Sequence, residues 1–143
     1  MSKRAIPSVK EKNRIIGNII AALANSQGFL LLGHQNPDDD CIASMIAFAL
    51  LAGKFTKPAP IYLGKHIHEH FQYLLNICHY NAIPVLYGAD PLKGPIDTVV
   101  LLDTPKPSMI EANSAIRSLF EERRILKIEI DHHLGADVHI LLL

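Results

Sequence analysis

What the chain lacks narrows the field first. Only two cysteines occur in 143 residues, Cys41 and Cys78, and they form neither a CxxC pair nor a zinc pattern. A disulfide framework is excluded. The opening MSKRAIPSVKEKNR is basic but carries no continuous apolar core or cleavage site, so the expected compartment is a reducing cytoplasm. Both cysteines read as buried small hydrophobes. Long apolar runs are missing too: the longest, Cys41 to Ala52, is about a dozen residues and contains Ser44, where a bilayer needs roughly 20. That run suits a buried helix, and no membrane partner is expected. Charge of one sign is equally absent. Fourteen Lys and Arg balance fourteen Asp and Glu, for a formal net charge of zero. Composition therefore offers no surface for long nucleic acid or membrane, although a small nucleotide needs only a local positive site. Finally, no glycine-rich phosphate loop follows the first strand, which argues against a generic nucleotide-binding α/β domain.

What remains is the composition of an ordinary globular protein, 49% apolar and 20% charged, at a length that suits one domain over residues 1–143. Apolar residues from Val9 to Leu23 fall at helical spacing behind Ser8 as cap, and Asn25 to Gly28 ends that helix. Phe29 to Leu32 is apolar at every position, as in a strand covered on both faces. A helix over Cys41 to Leu51 follows, capped by Asp39 or Asp40 and closed by Gly53. Then come a strand over Ala59 to Leu63, a helix over His68 to Cys78 and a strand over Ile83 to Tyr87. Thr98 to Leu102 forms a further strand, Ser108 caps a helix over Met109 to Glu122, and Ile125 to Ile130 forms the last. A short HILLL closes the chain. This alternation predicts an α/β fold: a doubly wound, mainly parallel, five-stranded Rossmann-like sheet with helices on both faces.

Ligands of such sheets bind beyond the carboxyl ends of the strands. Three polar clusters fall there: His34 to Asp40 (HQNPDDD), Asp103, and Asp131-His132-His133. Carboxylates with one or two imidazoles make a mixed oxygen and nitrogen donor set. It favours Mn²⁺ or Mg²⁺, admits Zn²⁺, Co²⁺ or Fe²⁺, and disfavours a thiolate site. Asp38 and Asp40 alternate in an extended segment and can face different ions. A carboxylate such as Asp103, arriving from a neighbouring strand, has two oxygens and can bridge a pair. Two ions about 3.5–4 Å apart suit in-line phosphoryl displacement.

The pattern H-x-x-P-D-x-D at His34 to Asp40, the lone Asp103 in VVLLDT, and D-H-H at Asp131 to His133 resembles the DHH phosphoesterase superfamily in order and context. That superfamily includes RecJ-like single-strand exonucleases, oligoribonucleases, cyclic dinucleotide phosphodiesterases and family II pyrophosphatases. The resemblance implies a dinuclear, manganese-preferring centre, with one ion on His34, Asp38 and Asp103 and the other on Asp40, Asp103 and His132. It implies that His133 faces the scissile phosphate and binds substrate, that Asp131 supports the pair, and that the substrate is a small nucleotide or short single-stranded oligonucleotide. Two features of the family are not found: a further Asp ligand beyond DHH, for which Asp137 lies too close, and the C-terminal DHHA1-type domain. Ala43-Ser44 replaces the usual small-residue step with glycine. On these grounds the chain is expected to be a partial DHH catalytic domain.

Each cluster has a plainer reading. The Asp38 to Asp40 run alone suits a solvated loop with a helix cap, Asp103 a turn, and Lys106 a solvated loop lysine near the site. Of the eight histidines, His66, His68 and His70 in GKHIHEHF include an i, i+4 pair, but no HExxH-type carboxylate supports it, and a solvated helix start is expected. The rival function is a catalytically weak or inactive metal-binding domain serving interaction, whose apolar tail Ile140 to Leu143 would take cover from a second subunit, possible as a homodimer.

Overall fold

The computed structural model describes residues 8–104, 107–132 and 140–141. Five parallel strands run in the order β3-β2-β1-β4-β5, from β1 (Phe29–Leu32), β2 (Ile61–Tyr62), β3 (Val85–Leu86), β4 (Thr98–Leu102) and β5 (Leu126–Ile130). A two-residue antiparallel strand, β6 (Ile140–Leu141), joins β5 at the edge, adding a sixth strand to the five the sequence predicts. Strand order reverses between β1 and β4, which pair Leu32 with Leu101. This is the switch point at which doubly wound sheets leave a crevice.

The two faces of the sheet separate by alternation. Phe29 and Leu31 of β1 and Val100 and Leu102 of β4 pack with Ile61 and Ile128 under α1 (Val9–Asn25), α2 (Asp39–Lys54) and α3 (Gln72–Tyr80). Leu30, Leu32, Val99 and Leu101 face the other way, against Ile116 of α4 (Ser114–Glu121) and the loop residue Ile110. All nine residues of β1 and β4 are buried, which is why these strands show no polar alternation. A fully buried aliphatic side chain contributes about 1.5–3 kcal/mol, so the central pair anchors the fold.

Several boundaries differ from expectation for local reasons. α2 is capped by Asp38, whose carboxylate accepts the Cys41 N–H at 2.9 Å, rather than by Asp39 or Asp40. It also runs past Gly53. Its end is set by Thr56, left-handed at φ 58°, with Lys57 N–H donating back to Ala52 O at 3.1 Å, a helix-ending bond that orphan carbonyls require. β2 is shorter than predicted because Pro58 and Pro60 accept from Phe29 and Leu31 but have no N–H to give. The largest change precedes α4. Ser108 lies in a 3-10 turn, Pro107–Met109, and the cap is Asn113, which accepts the Ile116 N–H at 2.9 Å. Met109 O is held by the Gln35 N–H at 2.7 Å and Ile110 is buried, so this stretch is tied to the His34 loop instead of coiling. Among the described residues no helix is long and apolar enough to cross a membrane.

Candidate metal centre

His34, Asp103 and His132 each follow a parallel strand, so all three reach the carboxyl edge of the sheet at or beside the switch point. Asp103 sits deepest, only 4% exposed. Its N–H donates to Ile130 O at 2.9 Å, locking the end of β4 to the end of β5. Its φ is 52°, a left-handed conformation that Asp tolerates better than most residues but that still carries strain.

The two oxygens of Asp103 look toward different partners. Oδ2 lies 4.0 Å from His34 Nε2, and Oδ1 lies 3.1 Å from His132 Nε2. The same His132 nitrogen is 3.1 Å from Asp40 Oδ2, and His34 Nε2 is 4.0 Å from Asp38 Oδ1. Five side chains from three stretches of chain thus form two adjoining groups that share Asp103. Their carboxylates concentrate negative charge that divalent cations neutralise, and the donors are the oxygen and nitrogen types that hard and borderline ions take. On that chemistry the residues fit a divalent-metal centre. Asp131 stands beside it, its Oδ1 accepting the His132 N–H at 2.9 Å. His133, Lys106 and Asp137 lie outside the described residues.

Two groups of three donors lie within 4.8 Å of one another among the described residues: Asp40 with Asp103 and His132, and His34 with Cys41 and Asp103. Cys41 is not among the ligands the sequence suggests. Its thiol is fully buried and contacts Leu102 O at 3.7 Å. Burial, aided by the carboxylates of Asp103, Asp38 and Asp40 and opposed by a backbone hydrogen bond from His34, pushes it up to about 12. The signal available in the sequence is the D-x-x-C spacing: a cap residue and the residue three later share the first turn of a helix.

The second histidine group is arranged differently from an i, i+4 pair. His66 stacks on Tyr87 with ring centroids 4.4 Å apart. His68 caps a 3-10 turn, Glu69–Phe71, accepting the His70 N–H at 3.2 Å. His70 Nε2 lies 3.8 Å from Asp39 Oδ1, and Tyr73 donates to Asp39 Oδ2 at 3.0 Å. Asp39 therefore turns away from Asp38 and Asp40, toward α3. On the other side of His34 a shallow cleft is lined by Gln35, Tyr62, Gly64 and Glu111. Tyr62 donates to Gly88 O at 3.1 Å there, and burial, then Glu111 and Asp90, push its phenol up.

The profile of the DHH family, N-terminal domain, matches residues 29–141. The chain belongs to the DHH family. The match begins at the first residue of β1 and extends over every residue of the centre just described. Membership places this chain in a metal-dependent phosphoesterase family and implies divalent-metal use. No curated protein matches the chain significantly.

Proposed function

We propose that this DHH-family chain is a phosphoesterase domain that hydrolyses phosphodiester or phosphoanhydride bonds of small nucleotides or short single-stranded oligonucleotides, with manganese as its metal. The observation that carries this reading is the division of the Asp103 carboxylate between two donor groups. A single turn residue would not need both oxygens committed to separate partners, nor a strained backbone to present them. His34, Asp38 and Asp103 would hold one ion, and Asp40, Asp103 and His132 the other.

Divalent ions bound there supply Lewis acidity and make water acidic near neutral pH. The protein's own part is positional. Asp103, buried between β4 and β5, fixes the spacing of the two groups. Asp131 accepts from the His132 backbone and so shapes the turn that brings this imidazole against Asp40. His133, the next residue, binds a phosphoryl oxygen of the substrate, where a donor aimed at developing charge lowers the barrier. Asp103 itself is buried, and charges held away from water interact more strongly.

The test is Mn²⁺-dependent hydrolysis of a generic phosphodiester by the purified chain, beside Asp103→Asn. Asn accepts a left-handed φ, so the variant keeps the turn and loses only the charge. Activity should fall at least about 10²-fold, the scale of removing one charged stabilising group, and calorimetric Mn²⁺ binding should weaken with it. Turnover unaffected by Asp103→Asn would overturn the shared-carboxylate reading. Mn²⁺ binding with no turnover in the unaltered chain would instead select a non-catalytic metal-binding domain.

A further inference from the structure

The compact group on the β1 side of the centre contains a sulfur. His34, Cys41 and Asp103 each bring a donor atom within 4.8 Å of the others. We propose that Cys41 is a thiolate ligand to the ion on the His34 side, so that this half of the centre is a nitrogen, sulfur and oxygen site, whereas the His132 half uses nitrogen and oxygen alone. The inference rests on the metal-centre reading above and names the metal chemistry of one of its halves.

Three further observations support it. Metal–sulfur and metal–nitrogen bonds of about 2.3 and 2.0–2.1 Å put co-ligands no more than about 4.4 Å apart, so the group stands at or within a few tenths of an ångström of closing on one ion. The sulfur is held in place from two directions. A Cβ at Gly33 would fall well inside contact with Cys41 Sγ and lie 3.3 Å from Met45 Cε, so glycine before His34 leaves the room that the sulfur fills. On its other side the sulfur contacts Leu102 O at 3.7 Å, which limits its swing. Asp38, meanwhile, commits Oδ1 to the Cys41 N–H at 2.9 Å, which fixes the first turn of α2 and with it the direction of the thiol.

On binding, a sulfur–metal bond forms as the S–H bond breaks, and the proton passes to solvent with no electron transferred. A thiolate favours Zn²⁺, Co²⁺ or Fe²⁺ over Mn²⁺ and Mg²⁺, so the manganese of the proposed function would belong to the His132 half, and the His34 half would take one of these softer ions.

Cobalt separates the possibilities without reference to activity. Added to the metal-free chain, Co²⁺ should give visible ligand-field bands and, in addition, a near-ultraviolet thiolate-to-cobalt charge-transfer band. Cys41→Ser should keep the first and lose the second. Cys78→Ser, which removes the only other cysteine, should keep both. In competition, the preference for Zn²⁺ over Mn²⁺ should drop at least tenfold in Cys41→Ser. Ligand-field bands without charge transfer in the unaltered chain, or a charge-transfer band surviving Cys41→Ser, would overturn the thiolate while leaving the centre intact. Absence of ligand-field bands altogether would overturn both readings. Should Cys41→Ser fail to fold, the spectra of the unaltered chain and of Cys78→Ser still distinguish a Cys41 thiolate from none.

Discussion

A few residues carry constraints out of proportion to their size. Gly33 is one. It joins β1 to His34, and its missing side chain is what allows Cys41 and Met45 to close beneath the centre. Cys41 Sγ is no flexible chain end that can swing aside, since it is buried against Leu102 O. Gly33→Ala should therefore destabilise the fold by about 1–3 kcal/mol, the usual cost of forcing atoms into a packed interior, read as a lower urea midpoint at unchanged slope. An unchanged midpoint would show that the thiol has room to move. Asp103 makes the complementary point. As a letter in VVLLDT it is one aspartate after an apolar run, set apart from an ordinary turn only by its company, the His34 to Asp40 and Asp131 to His133 clusters at neighbouring strand ends. Its left-handed φ and its two differently directed oxygens emerge only from the pairing of β4 with β5.

Elements are legible where their signals are local and redundant. Ser8 caps α1 at its start and the Asn25 to Gly28 stretch stops it, with Ser26 as the C-cap, and unbroken apolar runs mark β1 and β4. Elements are misplaced where one side chain has two roles. Asp38 is both helix cap and candidate ligand, and the sequence offers three consecutive aspartates for either task. The two roles separate by substitution. Asp38→Asn keeps an oxygen for the Cys41 N–H and should preserve stability while weakening metal binding. Asp38→Ala should do both harms, with about 1 kcal/mol lost from the cap. Equal stability of the two variants would refute the capping role. Asn113 escapes notice because its cap is supported from a distance, its amide donating to Gly88 O at 2.8 Å. Thermal unfolding should accordingly show Asn113→Ala costing about 1–2 kcal/mol, with Ser108→Ala near neutral; the reverse order would restore the helix start at Ser108.

At the scale of the whole molecule, the sheet has one edge for chemistry and one for stability, and β4 touches both. Beyond its carboxyl end lies Asp103. Before its amino end lies Asp97, an aspartate that sequence alone gives no reason to treat differently. There the surroundings are hydrogen-bond donors rather than other acids. Asp97 accepts from the Ser26 hydroxyl, from the Gln27 N–H at 2.9 Å and from the Thr98 hydroxyl at 3.1 Å, clamping the α1–β1 turn onto β4. Burial by itself would raise its carboxyl, but the bonds from Ser26, Gln27, Thr98 and Gly28 outweigh it and hold the group below its usual value. A carboxyl lowered on folding stabilises the native state fully above its unfolded value of about 3.9, and the contribution disappears as pH falls through the lower folded value. Asp97→Asn cannot accept from all of these donors at once, so it should be less stable than the unaltered chain at pH 7. The gap should hold down to about pH 4 and narrow below it, because protonation then robs the native aspartate of the same charge. Urea midpoints for both proteins, measured from pH 7 to pH 3, test this with the centre's carboxylates common to both. A gap that stays constant across that range would mean that the clamp works through shape alone and that charge at Asp97 contributes nothing to joining the two halves of the sheet.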